Sequence, residues 1–383
     1  MAFTEISWIK NLRDMYIETA LETMNHQWLA TALLPEYQVE AARANIYNRT
    51  ASQIGHESLR PVPTQSADAD DNTDPSTDPT EDTLVDPNLT PEEQFYELYW
   101  ELSRTSFEAY LEEHPETLDN GWENIYINEA GQNDDGTTIY TTMGEQVLAI
   151  DVPNKLLLVR VTGTGYLGVL AIGKDPAQLR CVASDGIGSY GQSLETLVNK
   201  SEGVIGITGS GFEDQNFSAN GGELTGFAFC EGKYYGFHST QTGWKRIELA
   251  ADNKMYVVDT TSEVYPGVTD AVEFTPALII DGELMVGGFY EWNGTNPRAA
   301  IGQSERGEIL MLVIEGRQAG RSIGTDVETC ANILKRHEGY NAINLDGGTS
   351  AVMYYNGEYV TRCSNTGIES RLMPNAWVYG NYE

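Results

Sequence analysis

The sequence predicts an α+β fold with a large mixed β-sheet core, few helices and a helical N-terminal region. From residue 139 onward, short apolar runs alternate with Gly and Asn turns, whereas helical spacing dominates before that point. The 383 residues include 38 glycines and 21 tyrosines, a composition typical of strands and tight turns. A chain of this length can bury a sizeable core.

The N-terminal half contains two helical patterns and a break in composition. The first pattern starts near Trp8 and ends at Pro35, and the second starts where Thr90 and Glu93 form a capping box. Between them, residues 61–90 mix Pro, Thr, Ser and Asp without Lys or Arg, which predicts a flexible acidic linker or a loop between two packed helices. The predicted units are a helical segment (1–60), the linker (61–90), a helical connecting segment (91–138) and the main domain (139–383).

Nine apolar runs in the main domain predict strands. They are residues 147–150, 156–161, 167–172, 204–207, 227–230, 255–258, 277–280, 309–314 and 342–345. Helices are expected at 193–200 and 325–338, the latter opening with Thr325 and Glu328 in capping-box register and ending at Gly339.

Charge and cysteine content limit the function classes. The formal net charge of −34 argues against binding to nucleic acid or anionic lipid, so a phosphate contact has to come from a few local arginines. The cysteines lack paired metal-site spacing, and zinc is not indicated. Buried free thiols are the main expectation, and one or two disulfides stay open if the protein is exported.

The chemistry is expected where the last predicted strand ends in Asp346. The glycines that follow let the backbone turn and approach a ligand, although an Asp-Gly hairpin turn would give the same local pattern. Asn344 shares a strand face with Asp346, and two hydroxyl side chains follow the turn, which favours a site. The candidates in this run are Asn344, Asp346, Gly347, Gly348, Thr349 and Ser350.

Six segments of the chain together resemble the phosphodiester glycosidase domain family. They are residues 172–176, 206–212, 296–302, 310–318, 344–350 and 370–376. The resemblance implies a bacterial, extracytoplasmic hydrolase that removes a sugar, N-acetylglucosamine among the candidates, from a glycosyl-1-phosphodiester or phosphopolysaccharide of the cell envelope or exopolysaccharide. Bacterial relatives often carry an N-terminal membrane anchor, so membrane contact is expected only through such an anchor. Thr208 and Thr349 depart from residues common in the family, Asn and a third Gly.

The resemblance and the residue types together suggest roles for the candidates. Asp346 would act as nucleophile or as stabiliser of an oxocarbenium-like transition state, and Glu315 and Glu213 compete for the role of second carboxylate. Arg317 is the leading phosphate ligand, unless it is a structural partner of Glu315. Further phosphate or amide contacts are expected from Arg298, Arg371, Gly209 and Gly211, the two glycines having tight turns as their alternative.

Two rival functions stay open. A carbohydrate-binding or assembly module would keep the fold without turnover, and an isolated Asp346 beside exposed Trp292 or Trp377 would favour it. A phosphodiesterase that attacks phosphorus ranks third, because paired metal-ligand motifs are missing from the sequence. No cofactor is required, a Ca²⁺ ion at Asp346 remains open, and the oligomeric state is not predicted.

Overall fold

The computed structural model describes residues 7–21, 27–61, 86–133, 136–213, 220–286, 294–380 and 382. Most of the predicted linker, residues 62–85, lies outside this part of the chain. The helices of the described residues are α1 (Ser7–Leu21), α2 (Gln27–Leu33), α3 (Glu36–Ser52), α4 (Pro91–Leu98), α5 (Arg104–Glu113), α6 (Leu194–Lys200) and α7 (Val327–Arg336). None of these helices is long and apolar enough to cross a membrane.

Strands make up most of the main domain. They are β1 (Tyr126–Asn128), β2 (Gln146–Asp151), β3 (Leu156–Gly163), β4 (Tyr166–Gly173), β5 (Leu179–Ala183), β6 (Ile205–Thr208), β7 (Phe227–Cys230), β8 (Lys233–Gly236), β9 (Lys245–Ala250), β10 (Met255–Asp259), β11 (Val268–Phe274), β12 (Ala277–Ile280), β13 (Glu283–Leu284), β14 (Arg298–Ser304), β15 (Ile309–Ile314), β16 (Gly339–Asn344), β17 (Met353–Tyr355), β18 (Glu358–Tyr359) and β19 (Asn375–Tyr379).

The strands form three sheets. The largest has the order β1-β2-β3-β4-β15-β14-β16-β12-β13, and two five-stranded sheets have the orders β10-β9-β11-β7-β8 and β18-β17-β6-β19-β5. The predicted α+β class is confirmed. The strand pairs in the described residues are antiparallel, so the pairing differs from the mixed sheet that was expected.

The nine-stranded sheet is buried on both faces. In β15, Ile309, Met311 and Val313 point into one hydrophobic cluster shared with the two smaller sheets, whereas the alternate residues point into a second cluster that includes α7. This double burial explains why the strand reads as an uninterrupted apolar run, because neither face needs polar side chains. The N-terminal helices α1 to α3 form a cluster of their own.

The helix starts follow local capping chemistry. The Thr90 capping box is confirmed, since the Thr90 side chain accepts from the Glu93 amide and Glu93 accepts from the Thr90 amide. The predicted cap of α7 was wrong by one residue. The Asp326 carboxylate accepts from the Thr329 amide at 2.7 Å, while the Thr325 backbone pairs with Asn296.

A buried ion cluster joins the helical connecting segment to the nine-stranded sheet. The Lys174 ammonium lies 2.6 Å from a Glu101 carboxylate oxygen and 2.7 Å from a Glu308 oxygen, and Lys174 and Glu101 are fully buried. Burial raises the pKa of Glu101, and the nearby Lys174 charge acts in the opposite direction. The single positive charge of Lys174 therefore compensates the two buried carboxylates of Glu101 and Glu308.

Replacing Lys174 with Met should lower the free energy of unfolding by about 3 to 5 kcal/mol, because two carboxylates would be left buried without their cation. Urea denaturation measures this loss. Lys155→Met is the matched control, since that lysine is 38% exposed in its ion pair with Asp175 and its loss should cost less than about 1 kcal/mol. Equal losses for the two variants would contradict a structural role of the buried cluster.

Candidate functional site

Asp346 lies just beyond the end of β16, beside the segment of residues 296–298, called here the 296–298 loop. The Leu345 amide donates to the Ala299 carbonyl at 2.8 Å, and the Gly348 amide donates to the Pro297 carbonyl at 3.0 Å. Asp346 is half-buried between these two contacts. Backbone hydrogen bonds on both sides therefore fix the backbone from which the Asp346 carboxylate projects.

Arg317 reaches the same turn from the end of β15. Its backbone has a φ of +58°, in the left-handed region that residues other than glycine rarely adopt. Its Nη2 donates to Asn296 Oδ1 at 2.9 Å, and a Cβ added at Gly348 would lie 3.4 Å from its Nη1. Arg317 as a residue is exposed to solvent, while its guanidinium is partly desolvated.

Three charges influence one another at this turn. The pKa of Arg317 is lowered, chiefly by partial desolvation and then by the nearby Arg298 guanidinium, whereas Asp346 acts in the opposite direction. Arg298 is buried, with its Nε donating to the Thr325 carbonyl at 3.1 Å and its Nη2 to the Gly294 carbonyl. Arg298 is thus anchored in the protein, and Arg317 is the accessible cation of the pair.

The backbone around the 296–298 loop is packed too closely for side chains. A Cβ on Gly347 would lie 2.7 Å from the Pro297 carbonyl oxygen, and one on Gly324 would lie 2.5 Å from backbone atoms of Asn296. Real Cβ atoms do not approach backbone this closely, so these positions require glycine. The requirement at Gly347 gives the Asp-Gly-Gly sequence a structural reason in addition to any functional one.

Buried polar atoms without partners occur in the segments predicted to form the site. Asn344 donates from Nδ2 to the Thr275 carbonyl at 2.9 Å, but its Oδ1 has no hydrogen-bond partner among the described residues. The Ser350 and Thr208 hydroxyls are buried and likewise have no partner within the described ranges. Buried polar groups are normally hydrogen-bonded, so these three atoms are exceptions to that pattern.

The loop of residues 209–213 follows β6 and is held by Asn375. The Asn375 Oδ1 accepts from the Ser210 amide at 2.7 Å, and its Nδ2 donates to Ser210 Oγ at 3.0 Å. Gly209 packs against the Asn375 side chain, and Gly211 packs against Thr225 and a ring of β11. Both glycines are buried, so close packing explains why glycine occupies these positions. A contact of their backbone amides with phosphate or sugar stays a prediction.

Arg371 approaches the site region from the segment before β19. Its guanidinium lies 4.6 Å from the centre of the Phe212 ring. Its charge also favours the thiolate of Cys363, whose pKa is nevertheless raised by burial. Cys363 Sγ in turn donates to the Thr349 carbonyl at 3.4 Å. Arg371 is therefore placed with Phe212 and Cys363, whereas Arg317 is placed with Asp346.

The two candidates for a second carboxylate have different environments. Glu315 is only 2% exposed, its oxygens lie 2.5 and 2.9 Å from the Arg321 guanidinium, and it accepts from the Arg362 amide. The partner of Glu315 is thus Arg321 rather than Arg317, and its engaged oxygens leave little access for a substrate. Glu213 is exposed, and the residues that follow it, 214–219, lie outside the described residues.

Sequence reasoning missed two asparagines that organise the site. Asn296 binds Arg317, and Asn375 holds the 209–213 loop. Both lie within family-like segments, next to Pro297 and Pro374, respectively. That adjacency was the available signal, because an amide beside a proline-fixed backbone can serve as a positioned hydrogen-bonding group.

Two open cavities lie near these residues. A cavity of about 770 Å³ at the start of α7 is lined by Gly324, Thr325 and Asp326 among others, without Asp346 or Arg317. A second cavity of about 380 Å³ is lined by Gln318, Arg362 and Cys363 among others, and Gln318 directly follows Arg317. In the described part of the chain, no three His, Cys, Asp or Glu side chains form a metal-binding group.

Part of the chain matches a known family model. Residues 201–379 match the phosphodiester glycosidase family model, which confirms the resemblance recognised in the sequence. The SPbeta prophage-derived uncharacterized protein YomE of Bacillus subtilis (strain 168) is 25% identical over 192 residues, which are 48% of this chain and 29% of YomE. The chain therefore spans less than a third of that relative's length.

Two solved structures are similar at low identity. The zebrafish N-acetylglucosamine-1-phosphodiester alpha-N-acetylglucosaminidase catalytic domain, auto-inhibited by its pro-peptide, has a TM-score of 0.47 and 14% identity over 70% of this chain and 94% of that chain. A hypothetical protein from Synechocystis has a TM-score of 0.42 and 12% identity, over 61% of this chain and 63% of its own.

Asn375→Leu should lower the free energy of unfolding by about 2 kcal/mol, because the buried Ser210 amide would lose its acceptor. Thermal and urea unfolding measure the change. Asn365→Ala is the control, since Asn365 is exposed and its side chain accepts from the nearby Gly367 amide. If both variants unfolded like the parent protein, Asn375 would not hold the 209–213 loop in the way described.

Proposed function

We propose that this chain, whose residues 201–379 carry a phosphodiester glycosidase domain, hydrolyses the bond between a sugar and the phosphate of a glycosyl-1-phosphodiester. N-acetylglucosamine is the first sugar to test, and a bacterial cell-envelope or exopolysaccharide phosphodiester is the proposed substrate class. The observation that carries the proposal is the accessible Arg317 guanidinium beside Asp346 at the end of a buried strand.

The cations favour an anionic ligand at this turn. Arg317 and Arg298 are close enough for the charge of one to lower the pKa of the other, and a bound phosphodiester would relieve that repulsion. The planar guanidinium of Arg317 can meet two phosphate oxygens at once. Because the whole protein is strongly acidic, such a local cationic site is needed for any phosphate to bind.

Asp346 supplies the negative charge that sugar chemistry needs. A carboxylate near the anomeric carbon can attack it or stabilise the positive charge that develops as the phosphate leaves. The departing phosphomonoester is a good leaving group, so protonation by a second acid is less necessary than for an alkyl glycoside. The proposal therefore does not depend on Glu315, whose oxygens are held by Arg321.

A binding module without turnover is the second candidate. The buried pairing of Glu315 with Arg321 favours the binding module, since one of the two candidates for the second acid has little access to a substrate. The buried Trp377 argues against it, because this ring cannot offer a stacking surface to a sugar. Trp292, the other aromatic residue of that hypothesis, lies outside the described residues.

The deciding experiment is hydrolysis of a panel of nucleotide sugars and glycosyl phosphodiesters in heavy-oxygen water. Attack at carbon places the heavy oxygen in the sugar, whereas attack at phosphorus places it in the phosphate. Heavy oxygen in the sugar supports the proposal, and heavy oxygen in the phosphate supports the phosphodiesterase rival. Sugar binding without turnover across the panel would support the binding module. Repeating the assay with a chelator tests the Ca²⁺ ion that the sequence left open.

Asp346→Asn should lower kcat by orders of magnitude while thermal stability stays nearly constant, because the charge that acts in the transition state is removed from a half-buried position. Steady-state kinetics on the best substrate of the panel measure the effect. Asp119→Asn is the control, an exposed carboxylate outside the family match that should leave kcat unchanged. Near-parent turnover in Asp346→Asn would remove this residue from the mechanism.

Arg317→Lys should reduce kcat/KM for glycosyl phosphodiesters by an amount equivalent to about 1 to 3 kcal/mol, since lysine keeps the charge but loses the two-pronged donor. Aryl glycosides without phosphate should be affected much less. The control is Arg306→Lys, in an exposed ion pair with Glu338, which should change neither substrate class. An equal loss on both classes in Arg317→Lys would assign Arg317 a structural role only.

A further inference from the structure

Cys181 and Cys230 face each other between the two smaller sheets. Cys181 lies on β5 and Cys230 on β7, and their Sγ atoms are 3.1 Å apart. A disulfide bond is about 2.05 Å long, so bond formation requires the sulfurs to approach by only about 1 Å. Both side chains are almost completely buried.

Hydrogen bonds from backbone amides to one carboxylate, independent of the thiols, hold the two strands at this spacing. A single Asp270 oxygen accepts from the Cys181 amide at 3.1 Å and from the Glu231 amide at 2.9 Å. Asp270 lies on β11, which pairs with β7, so one carboxylate joins β5 to the neighbouring sheet. The approach of the sulfurs is therefore fixed by the strands that carry them.

The other two cysteines are placed elsewhere. Cys330 lies on α7 in the cluster that covers the opposite face of the nine-stranded sheet, and Cys363 lies in a third cluster with α6. Cys181 and Cys230 share the central cluster between the sheets. If one intramolecular disulfide forms, the positions of the cysteines select this pair.

We propose that Cys181 and Cys230 form a disulfide that joins the two smaller sheets when the chain folds in an oxidising environment. Two S–H bonds break and one S–S bond forms. The two electrons and two protons pass to a small-molecule disulfide such as oxidised glutathione, which leaves as two thiols. The thiol pair in the present structure is the reduced state of this site.

The timing of the reaction follows from burial. Burial raises the pKa of the Cys181 thiol, and the neighbouring Cys230 raises it further, so Cys181 offers little reactive thiolate once the protein is folded. Oxidation therefore accompanies folding, before the sheets close over the sulfurs. Once formed, the bond is shielded from reducing agents by the same burial.

The cross-link would lie directly behind the 209–213 loop. The Nδ2 of Asn375, which holds Ser210, is 3.6 Å from Cys230 Sγ. A covalent link between β5 and β7 would thus restrain the strands on which the position of Asn375 depends. The inference concerns covalent structure and stands whether or not the proposed hydrolysis is found.

The test is oxidative refolding of the full chain. The reduced, unfolded protein is refolded in a glutathione redox buffer or in excess reductant, then alkylated under denaturing conditions and weighed by mass spectrometry. Two of the four cysteines should resist alkylation after oxidative refolding, and none after reductive refolding. Peptide mapping should show Cys181 linked to Cys230, and Tm should rise on the order of 5 °C in the oxidised form.

Two double variants serve as matched controls. Cys330→Ser with Cys363→Ser should still lose both remaining thiols on oxidative refolding, whereas Cys181→Ser with Cys230→Ser should keep both. Four free thiols in natively refolded parent protein would overturn the proposal, and so would a disulfide that includes Cys330 or Cys363. Thiol counting needs no substrate, so its outcome is separate from that of the hydrolysis assay.

Discussion

The close backbone packing around the 296–298 loop is the constraint on which the candidate site depends. The loop lies against Gly316, Gly324 and Gly347, at distances that leave no room for a Cβ atom. Asp346 directly precedes one of these glycines and Arg317 directly follows another. The contacts that bring three backbone segments together therefore also bring a carboxylate and a guanidinium together, at the end of a sheet buried on both faces.

Three charged groups influence one another in this region. The buried Arg298 guanidinium lowers the pKa of Arg317, and Asp346 acts in the opposite direction. Other charged clusters in the protein are compensated internally, as where Lys174 lies between Glu101 and Glu308. Arg317 is thus an exposed cation in a chain of net charge −34, and the proposed phosphate contact rests on this feature.

The sequence predicted a buried strand best where all of its residues are apolar. The run at 309–314 was recognised because every residue of β15 is apolar, whereas β9 was missed because Lys245, Arg246 and Glu248 interrupt the pattern. These charges are buried in ion pairs, Arg246 with Glu248 and Lys245 with Asp259. Pairing of this kind depends on the tertiary fold, and a single sequence does not display it.

The candidate site shows the same limit on prediction. Asp346 was identified from a strand end followed by glycines, which is local information. The sequence alone does not distinguish Arg317 from Arg321 as the partner of Glu315, because both arginines follow Glu315 within six residues. The left-handed backbone at Arg317 turns that side chain to Asn296 and leaves Arg321 to pair with Glu315.

The engagement of Glu315 changes what the site must do to be catalytic. With that carboxylate paired to Arg321, general acid catalysis has to come from another group or be unnecessary. In the proposed reaction a phosphomonoester leaves, and its negative charge can be stabilised by a guanidinium instead of being neutralised by a proton. In the proposed reaction, Asp346 acts on the sugar and Arg317 on the phosphate, so the proposal needs no second acid at Glu315. An ordinary glycoside, whose leaving group needs a proton, would require such an acid from another residue.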